Sequence, residues 1–325
     1  MLAGILAVTL AACSGGASGS GSTASASAGA PIAVLTSTNV WGDVVAQVGG
    51  DLVEVTSVIS EPSADPHAYQ STARDQLALS KAALIVQNGG GYDDFMQTMI
   101  ASAGTDAPVI NAVDVSGLAG DDHGSDGEPS GHADDPGATA SGHAEEGHDH
   151  GEFNEHVWYD LPTVGTVADA VAEQLATIDP DQASTFRANA AGFRASLADL
   201  TTQVDQIRAD HDGAPAAITE PVPLYLLEAA GLDNVTPVEF SEAIENETDV
   251  PAAVMDRTLK LFSGKQVALL VYNEQTSGPQ TEQVVEAAKT NGIPAVPVTE
   301  TLPDGQDYLS WMKANIQALS QALGG

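Results

Sequence analysis

Histidines that lie close to carboxylates are the residues of this sequence whose types could do chemistry. His67 lies in the segment Asp-Pro-His-Ala-Tyr at 65–69, and His156 lies in Asn-Glu-His-Val-Trp-Tyr-Asp at 154–160. The chain has a single cysteine, so thiolate-rich metal centres and an intramolecular disulfide are excluded. Imidazole beside carboxylate is the ligand chemistry of zinc and manganese rather than of copper(I) or iron–sulfur clusters. The pattern therefore predicts a site for a divalent cation.

A second group of histidines lies in an acidic, Gly-rich insert at 117–151, where Leu118 is the only large aliphatic residue. Such a composition cannot bury a core, so we predict a disordered segment that collects metal weakly. A plain solvated acidic loop is the alternative. The insert contains five of the eight histidines of the chain, which are His123, His132, His143, His148 and His150.

The net negative charge of the chain argues against polyanionic partners. Its 325 residues include 45 acidic and 10 basic ones, which gives a formal net charge of −35. Nucleic acids and anionic membrane surfaces need Lys and Arg to neutralise phosphate, so we expect neither as a partner. An apolar fraction of 43% is that of a globular protein. No apolar run in the sequence reaches the ~18 residues of a membrane-spanning helix.

The first residues of the chain have the pattern of a targeting signal rather than of a folded domain. An apolar stretch ends in Leu-Ala-Ala-Cys at 10–13, which matches the lipobox of bacterial lipoproteins. We therefore predict a signal segment at 1–12 and lipidation of Cys13. The Ser/Gly/Ala-rich tract that follows, up to residue 30, is typical of a flexible tether.

The remaining chain alternates short apolar strands with amphipathic helices, which predicts an α/β fold with parallel sheets. We expect two Rossmann-like lobes, at 31–162 and 212–325, joined by linking helices at 163–211. Ligands of open α/β sheets bind at the carboxyl ends of the strands. We therefore expect the metal site in the cleft between the lobes.

The second linking helix is predicted to be long and rigid. Starting at Pro180, it would extend to about Asp210 and measure ~45 Å at 1.5 Å per residue. A rod packed on both lobes would limit their closure to a small tilt. One apolar stripe at helical spacing supports the assignment, and it consists of Phe186, Phe193, Leu197, Leu200, Val204 and Ile207.

Taken together, these features resemble one family, the metal-binding lipoproteins of bacterial zinc and manganese ABC importers. The resemblance rests on Asp-Pro-His-Ala-Tyr at 65–69, His-Val-Trp at 156–158, the Asp-Pro break at 179–180 and the long helix. It covers the body from Pro31 to Leu323. Two departures, Gln70 where the family often has Glu and Leu161 between Asp160 and Pro162, remove no ligand.

The resemblance implies four metal ligands, two from each lobe. His67 and His156 match the ligands of the first lobe. The third family ligand is a His or Glu that ends the first strand of the second lobe, five residues before a Tyr. Glu220, five residues before Tyr225, matches it. Glu300 matches the fourth, an acidic residue after the last strand, although Asp is commoner there.

Each of the two carboxylates also has an ordinary structural explanation. Glu220 could be a carboxylate that favours a helix N-terminus through the helix dipole. Glu300 could be a solvated loop acid. Asp249 and Glu274 are the next candidates among the acids, with Glu274 placed to support a ligand rather than to be one.

The resemblance also implies the function: capture of a divalent cation outside the membrane and delivery to an ABC permease. We expect a monomer that is anchored to the cell membrane only through its lipid. Two imidazoles and two carboxylates suit Zn²⁺, and manganese (Mn²⁺) is the alternative if a carboxylate binds bidentate; we favour zinc. A surface metal-buffering adhesin is a second hypothesis. A metallohydrolase is disfavoured, because four protein ligands leave no open position for catalysis.

Overall fold

Two parallel sheets of four strands form the frame of the molecule in a computed structural model. The structure describes residues 30–61, 69–119, 153–276 and 278–324. The predicted signal segment, Cys13, His67 and the five histidines of the insert lie outside these ranges. Among the described residues, no helix combines the length and the apolar character that crossing a bilayer requires.

The first sheet has the strand order β2-β1-β3-β4, with every pair parallel. Its central strands are buried because helices cover both faces of the sheet. Its strands are β1 (Ile32–Thr38), β2 (Val53–Ile59), β3 (Leu84–Gln87) and β4 (Val109–Asn111). Its helices are α1 (Asn39–Gly49), α2 (Ala73–Leu79), α3 (Asp94–Ala103) and α4 (Ala112–Ser116).

Two helices connect this sheet to the second one. Asp160 caps α5 (Leu161–Ile178) by accepting a hydrogen bond from the backbone N–H of Thr163. After a 3-10 turn at Pro180–Gln182, α6 spans Ala183–His211. Its 29 residues correspond to a rod of about 43 Å. The apolar stripe predicted from the sequence is buried along its whole length, which confirms the long linking helix.

The second sheet repeats the arrangement of the first, with the order β6-β5-β7-β8 and parallel pairing throughout. Its strands are β5 (Pro215–Ile218), β6 (Asp233–Asn234), β7 (Leu269–Asn273) and β8 (Ala295–Val298). Its helices are α7 (Leu224–Ala229), α8 (Val238–Glu245), α9 (Ala252–Ser263), α10 (Pro279–Thr290) and α11 (Tyr308–Leu323).

One hydrophobic core extends through both lobes. The same cluster contains Val34 of β1, Phe193 of α6, Val271 of β7 and Trp311 of α11. Smaller clusters cover the outer face of each sheet. The lobes therefore share a core, because α5, α6 and α11 each pack against it.

Hydrogen bonds across the lobes reinforce this shared core. The side chain of Asn39 donates to the carbonyl oxygen of Leu302 at 3.0 Å and accepts from its N–H at 3.0 Å. Asp43 accepts a hydrogen bond from the N–H of Tyr308 at 2.9 Å. From sequence, Asn39 looks like the cap of α1, but Thr38 takes that position and the Asn39 amide instead pairs with the other lobe.

A second difference concerns the chain after β5. Residues 234–238 have the pattern of a strand, but β6 ends at Asn234 and α8 begins at Val238. The reason is that the N–H of Ile218 donates to the hydroxyl of Thr236 at 2.8 Å instead of to a strand carbonyl. Pro237 has no N–H to continue a ladder. The sequence-based strand was wrong here, and the helix α8 was missed.

Candidate metal centre

His156 lies between the two lobes, at the start of a 3-10 turn that leads into α5. The imidazole is fully buried, with 0% exposure. Its Nδ1 is 2.7 Å from Oδ1 of Asn154, which also accepts from the His156 backbone N–H at 3.2 Å. The Asn154 amide nitrogen donates to the carbonyl of Pro221 at 3.2 Å. These two contacts fix the orientation of the amide, so Nδ1 is the donor.

The hydrogen bond at Nδ1 sets the chemistry of the other ring nitrogen. A neutral imidazole that donates from Nδ1 presents the lone pair of Nε2, the form in which histidine binds metals. Aromatic neighbours hold the ring in place, since its centroid lies 5.1 Å from that of Trp158 and 5.8 Å from that of Tyr92, both in edge contacts. The ring is therefore oriented before any cation arrives.

Two carboxylates lie near the imidazole of His156, and one of them is beside Nε2. Oε1 of Glu245 is 3.4 Å away, and Glu155 completes a group whose ligand atoms all lie within 4.8 Å of one another. Glu155 is buried, and burial raises the pKa of its carboxyl group to about 7. Glu245 is the last residue of α8, so it reaches His156 from the second lobe.

Glu220 lies two residues after the end of β5, at the carboxyl end of that strand, and is 3% exposed. The next residue, Pro221, accepts the hydrogen bond of the Asn154 amide. Tyr225 of α7 donates from its hydroxyl to the carbonyl oxygen of Asn154 at 2.7 Å. Glu220 thus lies in a loop that is joined to the His156 segment by hydrogen bonds.

Glu300 occupies the equivalent place after β8 and is 7% exposed. Its Oε1 accepts a hydrogen bond from the side-chain amide of Asn273 at 2.7 Å. The Glu300 N–H donates to Oε1 of Gln275 at 2.5 Å. Asn273, the last residue of β7, therefore holds the side chain of Glu300, and Gln275, two residues later, holds its backbone.

His156, Glu220 and Glu300 are all buried, whereas the described residues whose ligand atoms lie within 4.8 Å of one another are Glu155, His156 and Glu245. His156 comes from the first lobe, and Glu220 and Glu300 stand at the carboxyl ends of parallel strands. Asp249 and Glu274 are exposed and do not behave as buried ligands. Sequence reasoning missed Glu245, because the helix that carries it was not predicted.

The arrangement is suited to holding a divalent cation. It combines an oriented imidazole with buried carboxylates, and cations offset the cost of burying such negative charge. Four of the basic side chains pair with exposed acids at the surface, away from this site. These pairs are Arg187 with Glu173, Arg194 with Asp169, Arg257 with Glu239, and Lys260 with Asp256.

Two four-stranded parallel sheets joined by a long helix, with buried histidine and carboxylate between them, define a class of two-lobed metal-binding proteins. A family model described as zinc-uptake complex component A, periplasmic (ZnuA), matches residues 34–322. The chain belongs to this family, which confirms the resemblance drawn from its motifs.

Curated relatives include binding proteins for both metals. The chain is 24% identical over 288 residues to the manganese-binding lipoprotein MntA of Halalkalibacterium halodurans, covering 81% of this chain and 87% of that protein. It is 22% identical over 279 residues to the zinc-binding protein AdcA of Streptococcus pyogenes serotype M3. The match covers 81% of this chain and 50% of AdcA.

Solved structures share the fold. A crystal structure of ZnuA aligns with a TM-score of 0.68 at 20% identity, covering 90% of this chain and all of that one. The periplasmic zinc-binding protein TroA of Treponema pallidum aligns with a TM-score of 0.67 at 19% identity, covering 91% of this chain and all of that one. The two-lobed α/β fold with parallel sheets and a long helix, predicted from the sequence, is confirmed.

Proposed function

We propose that this chain is an extracytoplasmic solute-binding lipoprotein that captures a divalent transition metal and delivers it to an ABC permease. The observation that carries the proposal is the fully buried His156, whose Nδ1 is held by Asn154 and whose Nε2 faces a carboxylate of the opposite lobe. Family membership supports the same conclusion, since the matching family is named for zinc uptake.

The proposed ligands are His67, His156, Glu220 and Glu300. The last two support the proposal through their placement, because both are buried and both follow a parallel strand at its carboxyl end. His67 lies outside the described residues and is proposed from its motif alone. Four protein ligands close the site around the ion, as a carrier requires and a catalytic centre does not.

Zinc is the proposed cargo, with manganese as the alternative. The relatives include a manganese-binding and a zinc-binding protein, so family membership is compatible with both. At a site of imidazole and carboxylate, the intrinsic order of affinity places zinc above manganese. Selectivity for manganese would require a higher coordination number with more oxygen ligands.

Delivery requires that the protein stays near its permease. Lipidation of Cys13 and a flexible tether up to residue 30 would keep the folded body at the outer face of the cell membrane. The relative from Halalkalibacterium halodurans is itself named a lipoprotein. We infer that the membrane is contacted through the lipid anchor and that the ion passes from a monomeric body to the permease.

Metal content tests the proposal. Protein purified without chelator and without added metal should contain about one tightly held ion per chain. Competitive titration of the metal-free protein should then show one tight site at which zinc displaces manganese. A protein that purifies without metal and binds neither ion would contradict the proposed function.

A further inference from the structure

The contact between His156 and Glu245 goes beyond the four ligands that the motifs imply. We propose that Glu245, at the end of α8 in the second lobe, is a further metal ligand and binds the same captured ion as His156. This inference rests on the proposed function, because it concerns the same site. It deepens that function by assigning an additional oxygen ligand to the ion.

The distance between the two side chains is that of two ligands on one ion. Nε2 of His156 and Oε1 of Glu245 are 3.4 Å apart, beyond the usual 2.7–3.2 Å of an N–H···O hydrogen bond. Zinc binds histidine nitrogen and carboxylate oxygen at about 2.0–2.2 Å, so two such donors at the tetrahedral angle are about 3.3–3.5 Å apart. The observed spacing leaves room for a cation bound to both atoms.

The direction of the lone pairs supports the same conclusion. In its neutral form the ring of His156 donates from Nδ1 to Asn154 and presents a lone pair at Nε2. The carboxylate of Glu245 also presents lone pairs. A cation placed between the two atoms would be bound by the lone pairs of both.

The helix dipole does not favour a carboxylate at the position of Glu245. It is the last residue of α8, where the negative end of the helix dipole disfavours a carboxylate. Its side chain is nonetheless 11% exposed rather than turned to solvent. A residue that breaks a local rule and is still half-buried is expected to serve a function.

The end of α8 is held firmly enough to position a ligand. Phe240 and Ile244 of this helix are buried in the outer core of the second lobe. After Glu245 the chain turns sharply, with the N–H of Thr248 donating to the carbonyl of Ala243 at 2.8 Å and Glu247 in the left-handed region at φ 51°. The turn fixes the last residue of the helix in space, as a preorganised ligand requires.

An additional carboxylate has a predictable effect on the choice of metal. With His67, His156, Glu220 and Glu300 it would give two nitrogen and three carboxylate ligands. Manganese benefits more than zinc from added oxygen ligands, because zinc is satisfied by four ligands. Loss of Glu245 should therefore weaken manganese binding more than zinc binding.

The test compares Glu245→Gln with the matched control Glu242→Gln in the full chain. Glu242 lies on the same helix and is exposed, so the control removes the same charge without touching the site. Calorimetric titration of each metal-free protein with Zn²⁺ alone and with Mn²⁺ alone is the measurement. For Glu245→Gln we expect at least a 10-fold loss of Mn²⁺ affinity, a smaller loss for Zn²⁺, and unchanged binding in the control.

X-ray absorption of the Mn²⁺-loaded proteins provides a second readout, in which Glu245→Gln should have about one fewer oxygen neighbour than wild type. Thermal unfolding of the metal-free variants checks that both fold. If Glu245→Gln binds as tightly as Glu242→Gln, or more tightly, Glu245 is not a ligand and the inference is wrong while the proposed function stands. If wild type itself binds neither ion, the proposed function fails.

Discussion

The hydroxyl of Tyr159 donates a hydrogen bond to the carbonyl oxygen of Thr299 at 2.7 Å. Tyr159 is three residues after His156, and Thr299 immediately precedes Glu300. This one buried bond therefore joins the segment that carries a proposed ligand of the first lobe to the segment that carries one of the second. The hydroxyl of Tyr308 donates to the carbonyl oxygen of Trp158 at 2.7 Å and extends the link to α11.

Removing that link should destabilise the protein and loosen the site. Tyr159→Phe leaves the carbonyl of Thr299 buried without its donor, which costs about 1–3 kcal/mol. Urea unfolding of the metal-free protein measures the loss, and calorimetry should show weaker metal binding. Tyr272→Phe, a half-buried tyrosine of β7, serves as the control. Equal stability of the two variants would show that the Tyr159 bond contributes nothing.

The lobes should move little when metal binds. They share one core, and Asn39 and Leu302 are paired across them by two hydrogen bonds. We expect small-angle scattering curves of the metal-free and metal-loaded proteins to superimpose almost completely. Closure should be a small tilt with local rearrangement of loops. A large change in the radius of gyration, as in a hinge-closing protein, would refute this expectation.

Asp43 should make the stability of the body depend on pH. Burial raises the pKa of its carboxyl group, and the charge of Asp307 raises it further, although the N–H of Tyr308 donates to it. The folded state then binds the proton more tightly than the unfolded state. The contribution to stability is therefore present at acid pH and is lost as the pH rises through the raised pKa.

Asp43→Asn provides the measurement, because its amide oxygen can still accept from Tyr308 while the group no longer titrates. The free energy of unfolding of wild type, relative to that of the variant, should fall as the pH rises from about 4 to about 7. The two proteins are compared by urea unfolding at each pH. A difference that stays constant over this range would mean that Asp43 titrates normally.

Deletion of residues 121–150 should distinguish weak metal binding by the insert from tight binding at the site between the lobes. These residues contain the five insert histidines, and ordering them around an ion costs chain entropy. Titration with zinc should lose several weak sites and retain the tight one. In the shortened chain, His67→Ala should then abolish the tight site. Loss of tight binding on deletion of the insert alone would show that the ligands have been misassigned.

The periodicity of the sequence predicted the two parallel sheets and the long helix between them. The buried stripe of α6, from Phe186 to Ile207, follows directly from helical spacing. Glu220 and Glu300 were assigned through the family resemblance, and the strand pattern placed both at carboxyl ends of parallel strands, where ligands of such sheets bind. Both carboxylates are indeed buried there, and their role as ligands stays a prediction.

Contacts between distant segments could not be predicted in the same way. Asn39 has the residue type of a helix cap, and only the fold shows that it pairs with Leu302, 263 positions later. Glu245 was missed because Thr236 uses a side-chain hydroxyl to end a strand that the apolar pattern would continue. A side chain that replaces a backbone hydrogen-bond partner leaves no periodic pattern in the sequence. The helix that follows, α8, was therefore not predicted.

The proposed ligands are tested most directly by a crystal structure of the zinc-loaded body, with anomalous scattering measured at the zinc edge. We expect one strong peak between the lobes, about 2.0–2.2 Å from Nε2 of His156 and from carboxylate oxygens of Glu220 and Glu300. The same peak should be absent from crystals of His156→Ala grown with zinc. A strong peak away from these residues, or a fully occupied site in His156→Ala, would show that the captured ion is not held by the proposed ligands.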